Sequence, residues 1–243
     1  MLTGSSAGSL VAAMAATRND TEMPTLFDTH QLDLNAIRML DVHGMFRHGA
    51  LLDPAQLEQC IRNNIGQPDF ISAFEHTRRI LGITVSPAEA NQHMRLLNYL
   101  TAPHVLIQRA VLASCAVPRV FPPVMLKALD YNGNEVPYMR SSRWVDGSIA
   151  SDLPLLRLAR MHNVNHYIVS QTNPYIVPLM RGSQRHTKRG VLPYARDLGL
   201  TLGRSTLDVT AQHLGPTGAF GAAHVADRFN QMLQQHYTGD ITL

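Results

Sequence analysis

Gly4-Ser5-Ser6-Ala7-Gly8 reads G-x-S-x-G and runs at once into Ser9-Leu10-Val11-Ala12-Ala13-Met14-Ala15-Ala16, small and apolar residues. Glycine on both sides of a serine, followed by a helix, predicts a sharp turn that lifts the Ser6 hydroxyl above the end of a sheet. The pattern predicts that a side chain at Gly4 or at Gly8 crowds that turn. A helix over residues 5–17 then aims its unpaired N–H groups at whatever binds beside Ser6. This is the geometry a serine nucleophile requires. The motif starts at the fourth residue of the chain.

A length of 243 residues without an obvious linker predicts one domain over residues 1–243. Hydrophobic residues make up 45% and charged residues 16%, a balance that excludes general disorder. The net charge of +3 suits an anionic membrane surface. Without interleaved basic and aromatic residues it does not point to nucleic acid. Cys60 and Cys115 are far apart and lack metal-ligand spacing, so both are expected as buried thiols. The first sixteen residues resemble an export signal, but no Lys or Arg precedes their apolar run and cleavage there would discard Ser6. No apolar run reaches the roughly 18 residues of a membrane span. A cytoplasmic or peripheral membrane location is therefore expected.

Leu34, Ile37, Met39, Leu40 and Val42 suggest a helix. Asp53-Pro54 is a stronger start signal, with Leu57, Cys60, Ile61 and Ile65 on one face and Gly66 as the stop. Pro68-Asp69 starts another helix through Phe70, Ile71, Phe74 and Arg78. Residues 80–86 and 95–99 read as strands, and residues 104–115 as a long apolar helix closed by Pro118. Asn132-Gly133-Asn134 predicts a hairpin turn. Residues 144–147 read as the end of a strand, 155–161 as a helix and 166–170 as a strand. A basic loop over 176–204 precedes helices at 204–214 and 222–236. Strands alternating with helices predict an α/β fold with a mostly parallel central sheet covered by helices.

A serine nucleophile needs a base. Twelve histidines leave room for a His-based triad, yet His104, His162 and His166 sit at element ends without catalytic context. Asp146, in Trp144-Val145-Asp146-Gly147-Ser148, is placed to act directly at the sheet's edge. Burial makes a carboxylate a stronger base. The same residues also suit a plain Asp-Gly turn, and spacing alone leaves the choice open.

Four stretches together resemble the patatin-like phospholipase family, in particular its branch of fungal and plant storage-lipid lipases and their bacterial relatives. They are Gly4 to Gly8, the strand segment from Thr77 to Ser86, Ala113-Ser114-Cys115-Ala116-Val117-Pro118 with its continuation to Pro123, and Asp146-Gly147-Ser148. The resemblance implies a three-layer fold and a Ser6–Asp146 dyad rather than a triad. It implies Gly4, Ala7 and Gly8 as the elbow, Ala7 N–H as an oxyanion donor, and Gly147 and Ser148 as the remainder of the D-G-[GAS] motif. It also implies a lipid ester substrate at a membrane or lipid-droplet surface, triacylglycerol foremost, then phospholipid or lysophospholipid, with no metal, cofactor or nucleic acid. The family carries a Gly-rich oxyanion loop upstream of the elbow. Nothing precedes Met1 and the chain holds no Gly-Gly pair, so an N-terminally truncated fold is expected. The alternative is a catalytically impaired lipid-binding or assembly module that keeps the fold. Arg181, Arg185, Lys188 and Arg189 form a basic run that suits anionic headgroups or a solvated loop. Ser114 near Pro118 is expected either to line the pocket or, more readily, to bond to its own helix backbone.

Overall fold

The computed structural model describes residues 1–28, 30–40, 52–89, 93–118, 120–149, 153–170 and 240–242. They fall into two compact units, Met1–Pro154 and Leu155–Leu243. The predicted basic loop at 176–204 and the helices at 204–214 and 222–236 lie outside the described residues. Among the described residues no helix is long and apolar enough to cross a membrane.

The first unit opens with strand β1 (Leu2–Gly4) and helix α1 (Ala7–Ala16). Helix α1 buries Ser9, Ala12, Ala13, Met14 and Ala16, so the small-residue run lets it lie close to the sheet. A short 3-10 helix, Met23–Phe27, begins around Pro24. The helix suggested by Leu34 to Val42 does not form over 34–40, where Leu34, Ile37 and Met39 are exposed; Val42 lies outside the described residues. Side chains compete with helical bonding there. Asn35 N–H donates to Asp33 Oδ1 at 2.9 Å, and Asn64 Nδ2 holds the Asp33 carbonyl at 2.7 Å.

Helix α2 (Pro54–Ile65) starts as the sequence predicts. Asp53 caps it by accepting from Ala55 N–H at 2.9 Å, Leu57, Cys60, Ile61 and Ile65 are buried, and Gly66 ends it at φ 78. Arg38 Nε donates to the Asp53 carboxylate at 3.0 Å, and its guanidinium holds that carboxyl below its ordinary value of 3.8. Asp53→Ala is expected to cost about 1–2 kcal/mol, chiefly from the lost cap, because the half-exposed Arg38 adds little. A pKa lower in the folded chain adds stability above the ordinary carboxyl value, and that part is lost as pH falls through the native pKa. The gap between wild type and Asp53→Ala should therefore narrow in acid. Urea unfolding at pH 7 and pH 3 measures it.

Helix α3 (Phe70–Thr77) carries a capping box between Asp69 and Ser72 and ends with Arg78 in the left-handed region at φ 56. Strand β2 (Leu81–Pro87) is buried along its whole length. Strand β3 (Arg95–Leu97) follows, then helix α4 (Ile107–Ser114). Helix α4 starts later than predicted because Val105 and Leu106 bridge to neighbouring segments, and Leu106 N–H donates to Lys127 O at 2.9 Å. The predicted hairpin is formed by β4 (Lys127–Leu129) and β5 (Glu135–Pro137), with Gly133 at φ 80. Strand β6 (Trp144–Asp146) runs into a 3-10 turn, Gly147–Ile149.

The α/β architecture holds, but the described sheet of this unit is mixed rather than mostly parallel. Only β1 runs parallel to β2, whereas β3 and β6 run against it. The β2–β3 connection, residues 88–94, is too short for the crossover of about a dozen residues that a parallel return needs. Ile83 pairs with Gly4 on one side and Leu97 on the other, and Val85 pairs with Asp146 on one side and Arg95 on the other. Strands β1 and β6 therefore share one edge of β2 and point at each other, their C-terminal ends separated by Thr84. Helices α1 and α4 pack against β2, and Ala13, Ala110 and Val111 share one buried cluster with Ile83 and Val85.

In the second unit helix α5 (Leu155–His162) ends at Asn163, which adopts φ 52. Strand β7 (Ile168–Val169) pairs in parallel with β8 (Ile241–Thr242). Tyr167 Oη lies 3.0 Å from Leu155 O and 2.9 Å from Val164 O, fastening the strand to the helix.

Candidate active site

Ser6 stands between β1 and α1 with φ 51 and ψ −129. A positive φ is uncommon for a residue with a Cβ, and holding it costs about 1–3 kcal/mol. The turn is tight on its upstream side. A Cβ on Gly4 would lie 2.2 Å from Gly8 O and 2.5 Å from Ser9 N, so glycine is obligatory there. The expectation for Gly8 is corrected, since a Cβ at that position meets nothing within 4 Å. Gly8 lies on the exposed side of the first helical turn. Ala7 is exposed beside it, and the N–H groups of this turn have no acceptor within the helix.

Downstream bonds close the elbow. Gly8 N–H donates to Ser5 O at 3.0 Å and Ser9 N–H to Ser6 O at 2.9 Å. Ser9 Oγ also donates to Ser6 O, at 2.6 Å. Ser5 Oγ is engaged by Thr84 Oγ1 at 2.8 Å. Of the two serines in the motif, Ser6 is the one at the strained corner.

Asp146 ends β6 at 1% exposure. It pairs with Val85, two residues along β2 from the partner of Gly4, a span of about 6.6 Å at the rise of a strand. The pleat puts Gly4, Ile83, Val85 and Asp146 on one face. Both motifs thus end in one gap on the helix-covered side of the sheet. Ser148 N–H donates to Asp146 Oδ1 at 2.9 Å, which is the turn that an Asp-Gly-Ser sequence predicts. Gly147 rests directly on β2, where a Cβ would meet Thr84 C and O at 2.5 Å. Gly147→Ala is therefore expected to cost about 1–3 kcal/mol through displaced backbone, whereas Gly8→Ala should stabilise α1 by about 0.5–1 kcal/mol. Thermal unfolding of the two variants should shift in opposite directions.

The C-terminal end of α4 meets both sides of this gap. Ser114 Oγ accepts the Ser6 N–H at 3.0 Å, so the expected bond to its own helix is replaced by one to a distant segment. Cys115 Sγ donates to Ser6 O at 3.3 Å. Asp146 N–H donates to Ala116 O at 3.1 Å. Burial pushes the Cys115 thiol up to about 12, and the Asp146 carboxylate pushes it the same way. The sulfur therefore keeps its proton and acts as a donor. Cys60 is a buried thiol as expected, Cys115 as a whole residue is only partly buried, against the expectation, and both cysteines are free.

No described hydrogen bond of Ser6 involves a histidine. His104, itself exposed, pairs with the buried Asp69, Nδ1 to Oδ2 at 3.3 Å. The sequence did not anticipate the bond of Thr84 to Ser5 or that of Ser114 to Ser6. Their signal was a polar residue within an otherwise apolar strand and another at the buried end of an apolar helix.

The sequence profile described as patatin-like phospholipase matches residues 1–159. A triacylglycerol lipase of Arabidopsis thaliana is 37% identical over 201 residues, covering 74% of this chain and 25% of that protein. A triacylglycerol lipase of Saccharomyces cerevisiae is 36% identical over 197 residues, covering 74% of this chain and 22% of that protein. One of Schizosaccharomyces pombe is 33% identical over 256 residues, covering 100% of this chain and 52% of that protein. The chain thus spans between about a quarter and a half of the length of these relatives.

Proposed function

The chain belongs to the patatin-like phospholipase family, and on that premise we propose that it is a serine acyl hydrolase of lipid esters using Ser6 as nucleophile and Asp146 as base. One observation carries the reading: β1 and β6 end head to head beside Thr84, so that Gly4 of one motif and Asp146 of the other pair with β2 residues two positions apart. The strained backbone of Ser6 supports it, because such strain clusters where function requires it.

In the proposed reaction Ser6 Oγ attacks the ester carbonyl carbon while its proton passes to the Asp146 carboxylate. Ala7 N–H, at the exposed start of α1, donates to the oxygen that gains charge. The C–O bond to the alcohol breaks, and the departing oxygen takes the proton from Asp146. Water then attacks the acyl-Ser6 ester, giving its proton to Asp146, and the released Ser6 oxygen recovers it. The names of the relatives support triacylglycerol as the foremost substrate, met at a lipid surface. The same reading includes helices on both sides of the sheet in three layers.

A fluorophosphonate probe tests the assignment, since only an activated serine reacts quickly with it. Labelling should map to Ser6 by peptide mass spectrometry and vanish in Ser6→Ala. A folded wild-type chain that takes no label would instead be the lipid-binding module without catalysis.

A further inference from the structure

We infer that Ser114, together with Cys115, is a positioning residue that fixes Ser6 relative to Asp146. The inference rests on the reading of Ser6 as nucleophile. A left-handed serine persists only when its surroundings over-determine it. The elbow's own bonds secure its downstream side, through the Ser6 and Ser5 carbonyls. They leave the Ser6 N–H, which precedes the first turn of α1 and has no helical acceptor. Ser114 supplies that acceptor from 108 residues away.

The bond is well protected. Ser114 is 0% exposed, so water does not compete, and a hydrogen bond in such surroundings is strengthened. It also constrains the chemistry. With its N–H given to Ser114, Ser6 does not offer that group to an oxyanion, which leaves Ala7 N–H as the elbow's donor.

The next two residues extend the contact. Cys115 donates to Ser6 O, and Ala116 O receives the Asp146 N–H. Three successive residues therefore touch the N–H and the C=O of the proposed nucleophile and the N–H of the proposed base. Their own backbone is fixed by Cys115 N–H to Val111 O at 2.9 Å and Ala116 N–H to Ala113 O at 3.2 Å. A shift of this segment moves Ser6 and Asp146 together, and a lost contact lets one move without the other. Small misplacements of this kind cost up to about 100-fold in rate.

The test compares Ser114→Ala, Cys115→Ala and Cys115→Ser with wild type in the full chain. It measures kcat and KM on a short nitrophenyl ester, the fluorophosphonate labelling rate, hydrogen exchange at the Ser6 amide, and melting temperature. Ser114→Ala should lower kcat and labelling about 10- to 100-fold with KM within about twofold. The Ser6 amide should exchange faster while β2 amides are unchanged. Cys115→Ala should lose about 3- to 10-fold, and Cys115→Ser, which keeps a donor, should stay near wild type. A folded Ser114→Ala with wild-type kcat, labelling and Ser6 exchange overturns the inference. If Ser114→Ala does not fold, the cysteine pair decides, because equal behaviour of Cys115→Ala and Cys115→Ser overturns it. A wild-type chain that is not labelled at Ser6 overturns the nucleophile reading and this inference with it. Labelling of wild type at the same rate as all three variants overturns this inference alone.

Discussion

Replacement of Ser6 by alanine is expected to lower kcat for ester hydrolysis about 10^4- to 10^6-fold, with a melting temperature close to that of wild type. The loss is large because the described neighbouring hydroxyls are held by other groups, Ser9 Oγ by Ser6 O and Ser114 Oγ by Ser6 N–H. Ser5 Oγ is bonded to Thr84 Oγ1 at 2.8 Å and belongs to the support of the turn. Stability should be little affected because alanine carries the same Cβ into the same φ of 51. It also preserves the backbone N–H and C=O that Ser114, Ser9 and Cys115 engage. Steady-state kinetics on a nitrophenyl ester, paired with thermal unfolding, reads both quantities. A folded Ser6→Ala chain with activity within tenfold of wild type would remove Ser6 from the mechanism.

Asp146→Asn is expected to reduce kcat about 10^2- to 10^4-fold, the usual worth of a positioned general base. Asparagine keeps a carbonyl oxygen for the Ser148 N–H, which donates to Asp146 Oδ1 at 2.9 Å. It keeps the main-chain bond to Ala116 O as well. The turn should therefore stand while the proton acceptor disappears. The double variant with Ser6→Ala should be scarcely slower than Ser6→Ala alone, since residues acting as one unit are not additive. Near-normal turnover in Asp146→Asn would return the base to a histidine.

Much of this arrangement is legible in the sequence wherever one local rule dominates. Asp53-Pro54, Pro68-Asp69 and Asn132-Gly133-Asn134 each specify an element boundary through capping or turn chemistry, and each boundary is present. Legibility fails where partners distant in sequence decide. Residues 34–40 have a helical pattern, but Asn64 and Asn63 on α2 draw the backbone and side chain of Asp33 into other bonds. Residues 104–106 look like the start of a helix and are claimed by a bridge to the β4 hairpin. In the candidate site the Gly4 requirement is visible from the motif, while the freedom at Gly8 is not. That difference depends on which side of α1 faces β1. Ser114 could be suspected only from its place at the end of an apolar helix, because its partner is 108 residues away.

The meeting of β1 and β6 beside Thr84 has a consequence for how the chain acquires its site. Neither strand end has anything to abut until β2 is in place, and the ties through Ser114 and Cys115 close loops of 108 and 109 residues. Closures of that length carry an entropic cost that shorter-range helices and hairpins avoid. The elbow, the Asp146 turn and the end of α4 are therefore expected to become ordered late and together. The capped helices α2 and α3 and the β4–β5 hairpin depend on contacts much nearer in sequence. The strained backbone of Ser6 is thus a property of the finished fold, and a nascent chain still lacking α4 has neither Ser114 nor Cys115 to hold it.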